Sequence, residues 1–262
     1  MGLIVRSVLG LIALGTLPIT ACAQTPGTRI MGEVETVDLQ THGDTVTIRY
    51  RVRTDASTPE PFRALTLPLA EPAIFVRADT ASRAWRSTNH VGNQTVARWA
   101  SLGGGQFELS PSLSFAAIGV PQLADAWIQG RHEPFEEGTP QADSAIADTT
   151  GYQYGARKVR VVGVGPRAST LSVDQRLARL GAALSERCRL GFVTQSGLCN
   201  SLTAKITAAQ NSVARGNGNA ARGQLGAFKA EVSAQRGKGV DETTYWLFSA
   251  LADIALAAIP AH

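Results

Sequence analysis

Alternating hydrophobic and polar positions dominate the first two thirds of the chain. Between residues 45 and 53, Val46, Ile48, Tyr50 and Val52 alternate with threonine and arginine. A period of two is typical of a half-buried strand. Other segments predicted as strands are Val34–Leu39, Ala64–Leu69, Ala73–Arg77, Gln94–Ala100, Phe107–Leu109, Leu113–Val120, Ala124–Gly130 and Lys158–Val164. Many short strands without intervening helices predict an antiparallel, immunoglobulin-like β-sandwich over residues 30–165.

A helical period replaces this pattern in the last third. Ser172 and Gln175 form a predicted capping box, and the leucines that follow recur at helical spacing. Two further apolar stripes run through residues 198–213 and 221–232, and Asp241 is placed to cap a fourth helix. Residues 172–259 are therefore predicted to form a small four-helix bundle, after a linker at residues 166–171.

The N-terminus reads as an export signal. One early arginine, Arg6, precedes an apolar run that Pro18 ends before it is long enough to span a membrane. Ile19–Cys22 is similar to a bacterial lipobox, which makes residues 1–21 the signal peptide and Cys22 the lipidated residue. Cleavage before Gln24 would give a soluble exported protein instead. We expect a periplasmic or outer-membrane lipoprotein, or a secreted protein.

The three cysteines bear on this choice. Cys188 and Cys199 flank a short loop, and their spacing fits neither a redox CxxC motif nor a zinc knuckle. An exported protein matures where disulfides form, so we predict a structural bridge between these two residues. Cys22 would then be unpaired, which favours the lipid anchor.

Residues 190–259 resemble the FIMAH domain, a helical module found at the C-termini of exported bacterial proteins. The resemblance depends on Gly197–Lys205, Ala208-Ala209, Arg215–Asn217, Ala220-Ala221, Leu225–Phe228, Val232 and Gln235–Lys238. It implies an accessory or interaction module without catalysis of its own, beside a surface-located partner domain.

Charge divides the chain at the same place. Residues 22–166 carry 13 basic and 15 acidic side chains, whereas residues 167–262 carry 11 and 6. These basic side chains are expected to lie on solvated helix faces, or to form a docking patch for acidic polysaccharide, phospholipid headgroups or DNA. An envelope protein or a glycan is the expected partner. A recognition helix and base-stacking aromatics are missing, so we do not expect nucleic acid. The candidate partner surface comprises Trp85, Lys205, Arg215, Arg222, Lys229, Arg236 and Lys238.

Residues for catalysis or metal binding do not cluster in the sequence. The four histidines are isolated, and neither a nucleophile elbow nor a nucleotide-binding fingerprint is present. We therefore predict a non-enzymatic envelope protein without a cofactor or metal. The alternative is a small carbohydrate-active hydrolase that uses Glu133, Glu136 or Glu137 as paired carboxylates, with the helical module as an accessory.

Overall fold

The computed structural model describes residues 32–54, 62–69, 74–80, 85–91, 94–101, 112–130 and 157–260. The predicted signal peptide, Cys22, the strand at Phe107–Leu109 and the three glutamates at 133–137 lie outside these residues. The described strands are β1 (Gly32–His42), β2 (Thr45–Thr54), β3 (Phe62–Pro68), β4 (Ile74–Thr80), β5 (Trp85–Val91), β6 (Gln94–Ser101), β7 (Ser112–Ile118), β8 (Pro121–Gly130) and β9 (Arg157–Val164).

The described strands form two antiparallel sheets. The order is β1-β2-β7-β4 in the first sheet and β5-β6-β3-β8-β9 in the second. Four helices follow: α1 (Val173–Arg189), α2 (Leu198–Ala214), α3 (Gly218–Gln235) and α4 (Glu242–Ala258). The prediction of an antiparallel β segment followed by a helical segment is confirmed.

Aromatic side chains from both sheets meet in the interior. Tyr50 of β2 and Phe115 of β7 belong to the first sheet, and Trp99 of β6 to the second. The Trp99 ring centroid lies 6.0 Å from that of Tyr50 and 6.1 Å from that of Phe115, with both pairs in edge-to-face contact. The hydroxyl of Tyr50 donates to the carbonyl of Val162 in β9, so the polar tip of this buried side chain is satisfied.

Two details of the β segment differ from the sequence prediction. Trp127, in a segment with the polar residues Asp125 and Gln129, is predicted from the sequence to face the core, but Ala126 and Ile128 are buried and Trp127 is only half-buried. Trp85, which lies outside every segment predicted as a strand, begins strand β5.

Helices α1 and α4 begin at the caps that their sequence predicts, and the predicted apolar stripes are buried. The side chain of Ser172 accepts a hydrogen bond from the backbone N–H of Gln175, whose side chain bonds back to Ser172, which completes the capping box. Asp241 caps α4 by accepting from the N–H of Thr244. The apolar stripes are buried, with Leu202 and Ile206 in α2 and Leu225, Phe228 and Val232 in α3 among them.

Helix α4 covers the exposed edge of the first sheet. Strand β1 lies at that edge, and the N–H of Thr36 donates to the hydroxyl of Thr243 over 2.9 Å. An uncovered edge would present unpaired backbone groups to other chains. One buried cluster includes residues of both sheets and of all four helices, so the interior is continuous from the β segment into the helical segment.

The predicted linker at residues 166–171 is also held in place. It contains a short 3-10 helix, Ala168–Thr170. Arg176 of α1 donates to the carbonyls of Ala168 and Leu171 over 2.6 and 3.1 Å. The N–H of Ser169 donates to Asp44 in the turn between β1 and β2, and hydrogen bonding from Ser169 lowers the pKa of this carboxyl.

Candidate functional site

A groove lies where β1 meets α3 and α4. Its volume is about 600 Å³, within the ~300–1,000 Å³ typical of small-molecule sites. Strand β1 contributes residues 39–41, and the rest of the lining comes from the C-terminal part of α3 and from α4. Because α4 packs along β1, the groove exists only where the helical segment meets the sheet. We refer to it below as the junction groove.

Two adjacent aromatic side chains line the groove. The rings of Tyr245 and Trp246 lie 5.2 Å apart between centroids and are nearly perpendicular. The guanidinium of Arg236, which follows α3, lies 4.2 Å from the Tyr245 centroid and 5.1 Å from that of Trp246. Cation–π contact at these distances is attractive. Arg236 therefore helps to fix both rings.

An ion pair holds Arg236 over the rings. Its guanidinium donates to both carboxylate oxygens of Glu242, the first residue of α4, over 2.7 to 3.1 Å. The hydrogen bond from Arg236 lowers the pKa of Glu242, and the same bond raises the pKa of Arg236. The two charges neutralise each other beside the rings of Tyr245 and Trp246, which we call the aromatic wall.

The ionisable groups inside the groove form a second pair. The ammonium of Lys229 in α3 contacts the carboxylate of Asp253 in α4. The remaining polar lining consists of one amide and three hydroxyls, from Gln40, Thr41, Ser233 and Ser249. The groove therefore combines aromatic rings, hydroxyls and an amide with balanced charge.

The sequence-predicted partner surface does not gather at one place. Lys229 and Arg236 lie at the junction groove, but Lys205 pairs with Glu231 over 2.9 Å on the α2–α3 face. Arg222 donates to the carbonyl of Ile259. Arg215 and Lys238 are exposed, and Trp85 lies in β5 of the second sheet, of which β1 is not part.

Sequence reasoning missed a buried arginine at the end of α1. The side chain of Arg187 is only 2% exposed. Its Nε donates to Thr244 over 2.6 Å, and Nη2 donates to both oxygens of Asp241 over 2.9 and 2.7 Å. Burial lowers the pKa of Arg187, against the opposing effect of Asp241. The available signal was its position on the apolar stripe, three residues after Leu184.

The predicted disulfide between Cys188 and Cys199 is present, with an S–S distance of 2.03 Å. It joins the end of α1 to the start of α2. The loop between them carries Leu190 and Phe192, which are 40% and 39% exposed. The Phe192 ring lies under the guanidinium of Arg187, 3.7 Å from its centroid, so the disulfide loop and the buried arginine form one cluster.

Metal-binding clusters and membrane-spanning helices are both absent from the described residues. Within these ranges, histidine, cysteine, aspartate and glutamate do not gather in any group of three or more that could hold a metal ion. Among the helices that the structure describes, none has the length and apolar character needed to cross a membrane.

Comparison with known families identifies the helical segment. Residues 177–257 match the FIMAH domain, which confirms the resemblance in the C-terminal region. The match begins in α1, earlier than the sequence motifs indicated, and ends in α4. No curated protein matches the chain. The aromatic wall, the Lys229–Asp253 pair and the disulfide all lie within the FIMAH segment.

Proposed function

We propose that this chain is an exported protein of the bacterial cell envelope that acts by binding an envelope component, without catalysis. The observation that carries the proposal is the junction groove, which lies between a sheet edge and a FIMAH segment. A FIMAH domain suggests a surface or envelope protein. The groove has the size of a ligand site, and its ionisable groups are already paired with each other.

The proposal assigns a role to each part of the chain. Residues 1–21 direct export, and the two sheets over residues 30–165 form an immunoglobulin-like sandwich. Residues 166–171 link it to a bundle formed by residues 172–259, which serves as the interaction module. Helix α4 supports these assignments, because its Thr243 contacts β1 and its Tyr245 and Trp246 line the groove.

Membrane attachment would occur through a lipid at Cys22. The lipobox-like Ile19–Cys22 supports this assignment, as does the disulfide that occupies the other two cysteines. A disulfide is also the expected chemistry of a protein that matures outside the cytosol.

The proposal is tested by locating and sizing the mature protein. The full chain is expressed in a bacterium with a C-terminal tag, the cells are fractionated, and the mature N-terminus is identified by mass spectrometry. We expect the protein in the envelope fraction with a lipidated Cys22. A mature chain that begins at Gln24 removes the anchor but keeps export, whereas an intact Met1 in the cytosolic fraction contradicts the proposal.

Binding is tested separately with a purified, unlipidated protein that begins at Gln24, which is mixed with isolated cell envelopes and sedimented. We expect it to co-sediment with envelopes and to be retained after a salt wash. A protein that stays in the supernatant contradicts the binding role.

A further inference from the structure

We infer that the junction groove binds a neutral saccharide segment, so that the envelope component recognised is an uncharged glycan. This inference rests on the proposed function and adds the chemical class of the ligand. Three properties of the groove support it: its aromatic wall, its hydroxyl and amide lining, and its lack of net charge.

The aromatic wall suits the apolar face of a sugar ring. Tyr245 and Trp246 are half-buried, so part of each side chain remains accessible in the groove. Sugar rings present C–H groups on their faces, and aromatic rings offer large, rigid contact surfaces with few rotatable bonds. Arg236, which Glu242 holds in place, lies over these rings and restrains them, which reduces the ordering cost of binding.

The polar lining matches the rim of a sugar. Serine and threonine hydroxyls both donate and accept hydrogen bonds, as sugar hydroxyls do. Ser233, Ser249 and Thr41 supply such groups from three different elements. Gln40 adds an amide whose nitrogen donates to Asp38 over 3.1 Å, which orients the group.

Balanced charge separates a neutral glycan from an anionic one. The cations at the groove, Lys229 and Arg236, are each paired with a carboxylate. An anionic polymer would have to displace Asp253 or Glu242 to reach them. A neutral saccharide leaves both pairs intact and can accept hydrogen bonds from Lys229 and donate to Asp253.

The inference is tested by calorimetric titration of the mature protein with defined hexasaccharides. The neutral probes are the hexamers of N-acetylglucosamine, glucose (β-1,4-linked) and mannose. The anionic probes are alginate and polygalacturonate fragments of similar length. We expect at least one neutral hexamer to bind, with an affinity that changes little between low and high salt.

Three variants assign the binding to the groove. Ala230→Trp fills it from an exposed position on α3, and Trp246→Ala removes part of the aromatic wall. Each is expected to weaken saccharide affinity at least about tenfold, equivalent to ~1.4 kcal/mol. The matched control is Ala227→Trp, at an exposed alanine of the same helix outside the groove lining, and it should keep the wild-type affinity.

The outcomes separate this inference from the proposed function. The inference is overturned if no neutral hexamer binds, if only anionic fragments bind, or if Ala230→Trp binds as tightly as Ala227→Trp. Because Ala230→Trp removes no core side chain, it remains informative even if Trp246→Ala fails to fold. Envelope co-sedimentation by a protein that binds no neutral hexamer would keep the proposed function and reject the saccharide.

Discussion

Arg187 is a charged side chain that joins two helices inside the molecule. Its guanidinium holds the carboxylate of Asp241, which in turn caps α4 through the N–H of Thr244. The same guanidinium donates to the Thr244 hydroxyl and stacks on Phe192. One side chain thus fixes the end of α1, the start of α4 and the disulfide loop.

Replacing Arg187 with leucine should destabilise the protein strongly. The change removes the donors to Asp241 and Thr244 and leaves these groups without their partner, and breaking a buried ion pair costs about 3–5 kcal/mol. Because Asp241 is 40% exposed and water can partly solvate it, we expect a smaller loss, about 2–3 kcal/mol. The measurement is the free energy of unfolding in urea.

The control for this prediction is Arg189→Leu, two residues later at an exposed position of the same helix. It should change the free energy of unfolding by less than ~0.5 kcal/mol. Arg187→Lys should be intermediate, since it keeps the charge but loses the two-oxygen contact with Asp241. Equal losses in Arg187→Leu and Arg189→Leu would show that the buried contacts add nothing.

At the scale of elements, the disulfide stabilises the connection between α1 and α2. The two cysteines are 11 residues apart, so the bond closes a short loop. That loop also pairs with the turn before α4, where the N–H of Thr194 donates to the carbonyl of Gly239 over 2.9 Å. The bond therefore restrains a segment that lies between the end of α1 and the start of α2 and that contacts the turn before α4.

Replacing both Cys188 and Cys199 with alanine should lower the free energy of unfolding by about 2–3 kcal/mol, because the unfolded chain regains the entropy that the short loop had removed. The loss is measured by urea denaturation. Reduction of the wild-type protein should give a loss of similar size. Two reactive thiols at these positions in the unfolded, unreduced protein would instead show that no bond forms.

The elements themselves were predictable to different degrees. The helix stripes and both caps follow from local sequence, because helical spacing and capping depend on near neighbours. Strand β5 was missed because Arg86, Ser87, Thr88, Asn89 and His90 give no hydrophobic alternation. Its strand character depends on pairing with β6, which is a partner that local sequence does not reveal.

The prediction that Trp127 faces the core was also wrong. The prediction took Trp127 to alternate with Asp125 and Gln129, but residues two apart in a strand share a face. Trp127 therefore lies on the face of these polar residues, and Ala126 and Ile128 lie on the other. The structure buries Ala126 and Ile128 in the cluster that includes residues of both sheets. Which face becomes the interior is decided by tertiary packing.

The junction groove is a property of the whole molecule and was not predicted. Lys229 and Arg236 were in the candidate surface, but their partners Asp253 and Glu242 lie on another helix. Gln40 and Thr41 come from a strand about 190 residues away along the sequence from α3. Charge pattern marked the basic residues, but it could not show that acidic residues neutralise them and leave an uncharged groove.

The continuous interior leads to a prediction about cooperativity. Phe228 of α3 is fully buried, and its ring lies 5.9 Å from that of Phe248 in α4, the helix that packs on β1. Phe228→Ala should cost about 3–5 kcal/mol through lost packing and cavity formation. Since one buried cluster spans both segments, this loss should reach the β segment as well.

Hydrogen exchange followed by mass spectrometry measures this spread directly. In Phe228→Ala we expect faster exchange in peptides from β2 (Thr45–Thr54) as well as from α4, because the amide protons of both exchange through the same global unfolding. Ser233→Ala, at an exposed position of the same helix, should leave both rates unchanged. If β2 keeps its wild-type protection while α4 loses it, the β segment and the helical segment unfold independently. The junction groove would then form only when two separately stable segments dock against each other.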